Sequence, residues 1–96
     1  MKLTGKCEID YLKWYKDVYS KENDIYEDGM SVNYMPFSMA YGVYVDFFDS
    51  VGIYIKDSRR SYRVTNGENV FTNLHLTRQE ARTKAIEKAN EIYNEQ

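Results

Sequence analysis

Apolar positions in the first twenty residues recur at helical spacing. Cys7, Tyr11, Trp14, Tyr15 and Val18 form one stripe, widened by Leu12 and Tyr19. Lys6, Asp10, Lys13, Lys16 and Asp17 fall on the other side. The pattern predicts an amphipathic helix from about Gly5 to Tyr19, with Thr4 placed to cap it. Residues 20–35 show no period and are acidic through Glu22, Asp24, Glu27 and Asp28. They read as a loop, long for a compact domain.

The stretch PFSMAYGVYVDFFDSVG, residues 36–52, is apolar nearly throughout. As a strand it would line one face with Phe37, Met39, Tyr41, Val43, Val45 and Phe47. As a helix it would gather Ser38, Gly42, Asp46 and Asp49 into one polar strip. Strand propensity favours the first. Length favours the second, because the run is about twice an average strand of about 5–6 residues. Pro36 suits the first helical position and Gly52 the position past the end. Length decides for a helix over 36–50. Met39, Val43 and Phe47 then lie on the flank away from Tyr41, Val45 and Phe48, and are candidates for an interface.

Three short strands follow: 53–56, 61–65 and 70–76. Ser58-Arg59-Arg60 is the first turn, and Asn66-Gly67 is a hairpin signal because both residues accept positive φ. Thr77-Arg78-Gln79-Glu80 has the form of a capping box. It opens a helix to about Asn94 with Ala81, Ala85, Ile86, Ala89, Ile92 and Tyr93 on its buried side. Glu80 and Lys84 form an i,i+4 pair. The expected fold is α+β: an N-terminal helix, a second helix, a three-stranded antiparallel meander, and a C-terminal helix packed on the sheet. If 38–48 were a strand, the order would become α-β-β-β-β-α.

Composition then narrows the class. The 96 residues suit one domain with a thin stability margin. Hydrophobic residues at 43% and charged residues at 29% exclude wholesale disorder. Ten tyrosines serve either a shallow core or a partner surface. The net charge of −2 provides no global field toward nucleic acid. Cys7 is the only cysteine, so neither an internal disulfide nor a multi-cysteine metal site is possible. No apolar run has membrane-spanning length, and no leader is visible. A reducing compartment is the natural expectation.

Catalytic chemistry finds little support. His75 is the only histidine, and its pairing with Cys7 as nucleophile and base lacks an orienting third group. Asp46 and Asp49 share a helical face, but a solvated strip, or Asp49 capping the turn into Gly52, explains them better than paired acid–base chemistry, and no histidine is near in sequence to complete a metal set. No phosphate-loop, dinucleotide or zinc motif is present. No enzyme and no cofactor is expected. Arg59, Arg60 and Arg63 cluster at the first hairpin between Tyr54 and Tyr62, and Arg78 and Arg82 open the last helix. Were these five to converge, they could hold phosphates, with tyrosines stacking bases.

Two stretches, PFSMAYGVYVDFFDSVGI and LTRQEARTKAIEKANEIYN, together with the opening KLTGKCEIDYLKWY, resemble small uncharacterised phage and prophage proteins of gut anaerobes. Such proteins show Leu-Pro-x-Ser-Met-Gln-aromatic-Gly-Val followed by Asp-Phe-Phe-Asp-Ser-x-Gly-Ile. Pro36, Ser38, Met39, Tyr41, Gly42 and Val43 match the first pattern, and Asp46 to Ser50, Gly52 and Ile53 the second. Met35 and Ala40 depart from it. The resemblance covers about half of the chain and transfers no chemistry. It implies a phage or prophage accessory protein acting in the bacterial cytoplasm. With the missing motifs and the tyrosine content it points to a host or phage protein as partner, while the apolar flank of 36–50 points to a homodimer. The alternative is a small nucleic-acid-binding domain using the five arginines. The helix–meander–helix outline is similar to the double-stranded-RNA-binding domain. However, Arg78-Gln79-Glu80-Ala81-Arg82 stands where such domains carry a lysine-rich helix start.

Overall fold

The computed structural model describes residues 1–19, 36–74 and 77–96. Helix α1, Gly5–Trp14, runs on into a π-helical turn, Tyr15–Tyr19. Helix α2 is Phe37–Ser50. Strands β1 (Tyr54–Asp57), β2 (Ser61–Thr65) and β3 (Val70–Leu74) form an antiparallel sheet in chain order. Helix α3, Arg78–Glu95, closes the fold and packs on β1 and β2. The α+β architecture expected from the sequence is the one observed. The 20–35 loop and His75 lie outside the described residues.

The long apolar run is a helix, as its length argued. Pro36 stands at the N-cap, one position before the expected site, and its carbonyl accepts the first helical bonds from Met39 and Ala40. At the other end Gly52 takes φ +84°. The Gly52 N–H donates to the Asp49 carbonyl and the Ile53 N–H to the Phe48 carbonyl. That is the Schellman pattern, and it turns the chain directly into β1.

Helix α1 is capped differently from the expectation. The Thr4 hydroxyl makes no capping bond within its own helix. Instead the Cys7 N–H donates to Asn94 Oδ1 of α3 at 2.8 Å, and Asn94 Nδ2 donates to the Thr4 carbonyl at 2.9 Å. Asn90 bonds the Thr4 N–H and hydroxyl, both at 2.9 Å. Gly5 sits under Asn94 with φ +63°, where an added Cβ would come within 3.2–3.3 Å of the Asn94 side chain. A glycine is required there on both counts.

The Thr77 hydroxyl accepts from the Glu80 N–H at 3.1 Å, as the capping box predicts. Lys84 pairs with Glu87, three residues on, at 3.2 Å. The Asn66-Gly67 turn is a four-residue loop, not a two-residue one. Asn66 Oδ1 accepts from the Glu68 and Asn69 N–H groups, and Gly67 takes φ +93°.

The core gathers Leu3, Cys7, Tyr11 and Tyr15 from the N-terminal helix and Val43, Tyr44, Phe47 and Phe48 from α2. Ile53, Val64 and the small-residue face of α3 complete it. Aromatic rings fill its centre: Tyr11 meets Phe47 edge-on at 5.5 Å and Tyr44 at 5.1 Å. Of the eight described tyrosines, four are buried, three are half-buried and only Tyr54 is exposed. The described tyrosines thus serve mainly the core and its margin, with Tyr54 alone on the open surface. Val18, read into the buried stripe, is exposed.

Candidate interaction surface

The interface flank read from α2 does not exist as such. Val43 and Phe47 are buried, and only Met39, 58% exposed, faces outward. The reason lies in the number of neighbours. Helix α2 has the aromatic cluster of α1 on one side and the sheet with α3 on the other, so its own fold covers both apolar flanks. Ser38, Gly42, Asp46 and Asp49 form the exposed strip that the helical reading placed there. Partial burial raises both carboxyl pKa values, and Asp46 adds to the shift of Asp49.

The open surface is instead the outer face of the sheet. Val64 and Ile55 point to the core, so alternation puts Tyr54 and Lys56 of β1 on the far side. Ser61, Arg63 and Thr65 of β2 join them, with Val70, Thr72 and Leu74 of β3. Register sets Lys56 directly opposite Arg63, and Arg63 opposite Thr72. Arg59 and Arg60 stand exposed on the turn at the same end. Among the described residues none of these four cations has an ion-pair partner. The two carboxylates of the 54–74 segment are elsewhere: Glu68 is in the opposite loop, and Asp57 faces α3.

Between the strands lies an open hollow of about 300 Å³, lined among others by Lys56, Asp57, Ser61, Arg63, Thr72 and Leu74. The hydroxyls of Ser58 and Ser61 are hydrogen-bonded to each other at its margin. Three apolar side chains flank the cations: Tyr54 at 54%, Val70 at 52% and Leu74 at 78% exposure.

The five arginines do not converge. Arg59, Arg60 and Arg63 share the sheet end. Arg78 is exposed at the start of α3. Arg82 is engaged on the inner side: its Nε donates to Asp57 at 3.2 Å and its guanidinium lies 4.8 Å from the Tyr41 ring centre. The Tyr41 hydroxyl also donates to Asp57, at 3.1 Å. Burial first, and Asp57 second, raise the pKa of that hydroxyl. Tyr62, expected beside the arginines, packs half-buried against the core. Lys56 was the residue missed. The turn expected at 58–60 would set 56 across from 62; the observed loop is one residue longer and sets Lys56 across from Arg63.

Cys7 is fully buried, and burial aided by Asp10 pushes its thiol up to about 12. A thiol so protonated is no nucleophile. Among the described residues, no group of three or more acidic, cysteine or histidine side chains is placed to hold a metal ion, and no helix is long and apolar enough to cross a membrane. No family model, no curated protein and no solved structure matches the chain.

Proposed function

We propose that the chain is a non-catalytic protein-interaction domain whose working surface is the outer face of the sheet, and whose partner is a protein with an acidic surface. One observation carries this reading: Lys56 and Arg63 face each other across β1 and β2, neither with an ion-pair partner among the described residues, framed by exposed Tyr54, Val70 and Leu74. Like charges opposite each other on a sheet are destabilising, and an anionic partner offsets that cost. Arginine, tyrosine and apolar side chains together are the composition of an interface core. The resemblance to phage proteins supports a host or phage protein as that partner.

A photo-crosslinking residue at Tyr54, exposed on β1 and away from the β3 edge, tests the reading. It should capture a partner through an acidic segment, and Lys56→Glu with Arg63→Glu should abolish capture. Capture unaffected by the charge reversal would reject the surface.

The second reading, nucleic-acid binding, draws on Arg59 and Arg60 beside the same pair. It requires binding to DNA or RNA that weakens steeply with salt, with a slope flattened by Arg59→Ala and Arg60→Ala. Absence of binding to duplex or single strands at low salt would eliminate it.

A further inference from the structure

Among the described residues, the sheet order leaves β3 at an edge. The Asn66 N–H donates to the Asn69 carbonyl, which sets the alternation of the β2–β3 ladder. Val64 and Tyr62 exchange backbone bonds with Phe71 and Asn73, and the N–H and C=O groups of Val70, Thr72 and Leu74 point away from β2. The Leu74 N–H turns to the side chain of Asn73 at 2.8 Å, in keeping with that direction. Among the described residues nothing takes up the outward groups of Val70 and Thr72.

Native edges are blunted by charges, proline, bulges or a covering element. The β3 sequence, Val-Phe-Thr-Asn-Leu, has no charge and no proline, and its register with β2 is unbroken. Helix α3 packs chiefly on β1 and β2 and meets β3 on its inner face, with Lys88 over the Phe71 ring, not along its edge. The edge is therefore a template, and the strand that fits it is its own copy. About a two-fold axis at Thr72, β3 pairs antiparallel with itself. Thr72 meets Thr72 of the second copy, and Val70 meets Leu74 on the outer face. The two exposed apolar side chains then cover each other, and no charge meets its own image.

We propose that the chain self-associates through β3 into a two-fold dimer with one six-stranded sheet. Both outer faces point to the same side, so the two Lys56–Arg63 pairs flank one continuous surface. The distance between the two β1 strands is about 24 Å, five interstrand steps. Five residues on each side make a small contact, below about 1,200 Å², so the association is weak and concentration-dependent. Release of the Leu74 N–H from Asn73 weakens it further.

The test is sedimentation of the full chain from about 10 µM to about 1 mM, a range suited to weak association. The weight-average mass should rise from 11.4 kDa toward twice that value. Exchange of the Thr72 amide should slow over the same range. Thr72→Pro removes only an outward N–H, which an edge strand tolerates, and should leave a folded monomer at all concentrations. If that variant disturbs β3, Val70→Lys with Leu74→Lys sets cations against cations across the axis and should give the same result. A wild-type monomer throughout the range, or a dimer that survives both changes, would overturn the proposal.

Discussion

Asn94 Oδ1 accepts the Cys7 N–H at 2.8 Å, so the last helix caps the first across 87 positions of sequence. Cys7 is the third residue of α1, where a helix normally takes a bond from its own cap. Here the two chain ends are tied together by Asn90 and Asn94, one turn apart on α3. Asn94→Ala should cost about 1–2 kcal/mol, the value of a lost cap. Asn94→Asp keeps the acceptor for Cys7 but loses the donor to Thr4, and should cost less than alanine. Urea denaturation of both variants measures this. Equal stability of Asn94→Ala and wild type would show the clamp to be idle.

Among the described residues, the buried Tyr11 hydroxyl has no hydrogen-bond partner. Such a group carries its desolvation cost uncompensated. Tyr11→Phe keeps the ring contacts with Tyr44 and Phe47 and removes only the oxygen. It should be neutral or stabilise by up to about 1–3 kcal/mol, read as a rise in melting temperature. Loss of stability would reveal a polar partner for the hydroxyl.

Phe48 is fully buried and Met39 is exposed on the same helix. Phe48→Ala should cost about 3–5 kcal/mol, a large share of the stability of a domain this size. Met39→Ala should change stability by less than about 0.5 kcal/mol. Thermal unfolding that ranks them in the opposite order would reject the assigned faces of α2.

The contrast marks where sequence pattern stops being informative. The type and length of α2 were legible, because a run that long exceeds a strand and ends in Gly52. Its burial on two sides was not, since a hydrophobic run does not state how many neighbours it has. The same limit explains Arg82. Spacing placed it with Arg78 at the start of α3, but its partners Asp57 and Tyr41 come from β1 and α2. Lys56 was missed because the first turn is one residue longer than expected, which shifts the register by one, and the Asn90–Asn94 clamp because it joins residues 86–90 positions apart.

Alkaline pH should unfold the protein cooperatively. Burial raises the ionisation of Cys7 to about 12 and raises Tyr11, Tyr41 and Tyr44 in the same direction. For Tyr93 the hydrogen bond to Asp10 comes first, with burial second, and its hydroxyl reaches about 12. In the unfolded chain these groups lose protons near pH 9 to 10, the reference values for the thiol and the phenol. Between there and the folded values the native state holds more protons than the unfolded state, so stability falls as pH rises. It is intact below about pH 9 and lost progressively up to about pH 12. Tyr93→Phe should remove part of the slope. A melting temperature unchanged between pH 8 and 11 would contradict the burial of these groups.

Lys56 and Arg63 oppose each other across β1 and β2, so stability and binding should respond to them with opposite signs. Arg63→Glu turns a repulsive cross-strand pair into an attractive one, worth about 0.2–1 kcal/mol. The melting temperature of the isolated chain should rise by a few degrees, since about 1 kcal/mol shifts a domain of this size by about 4–8 °C. The same change reverses the charge offered to an acidic partner, so association should slow and its salt dependence should disappear. Lys56→Glu should behave alike, because either member breaks the repulsion. The double reversal of both residues restores like charges, so its stability should return toward wild type while binding stays lost. Lys2→Glu, on an exposed residue before α1, changes the net charge equally and should leave both properties as they were. A stable, partner-binding Arg63→Glu chain would remove the pair from the interface. A destabilised one would show that the repulsion inferred from the register is not felt.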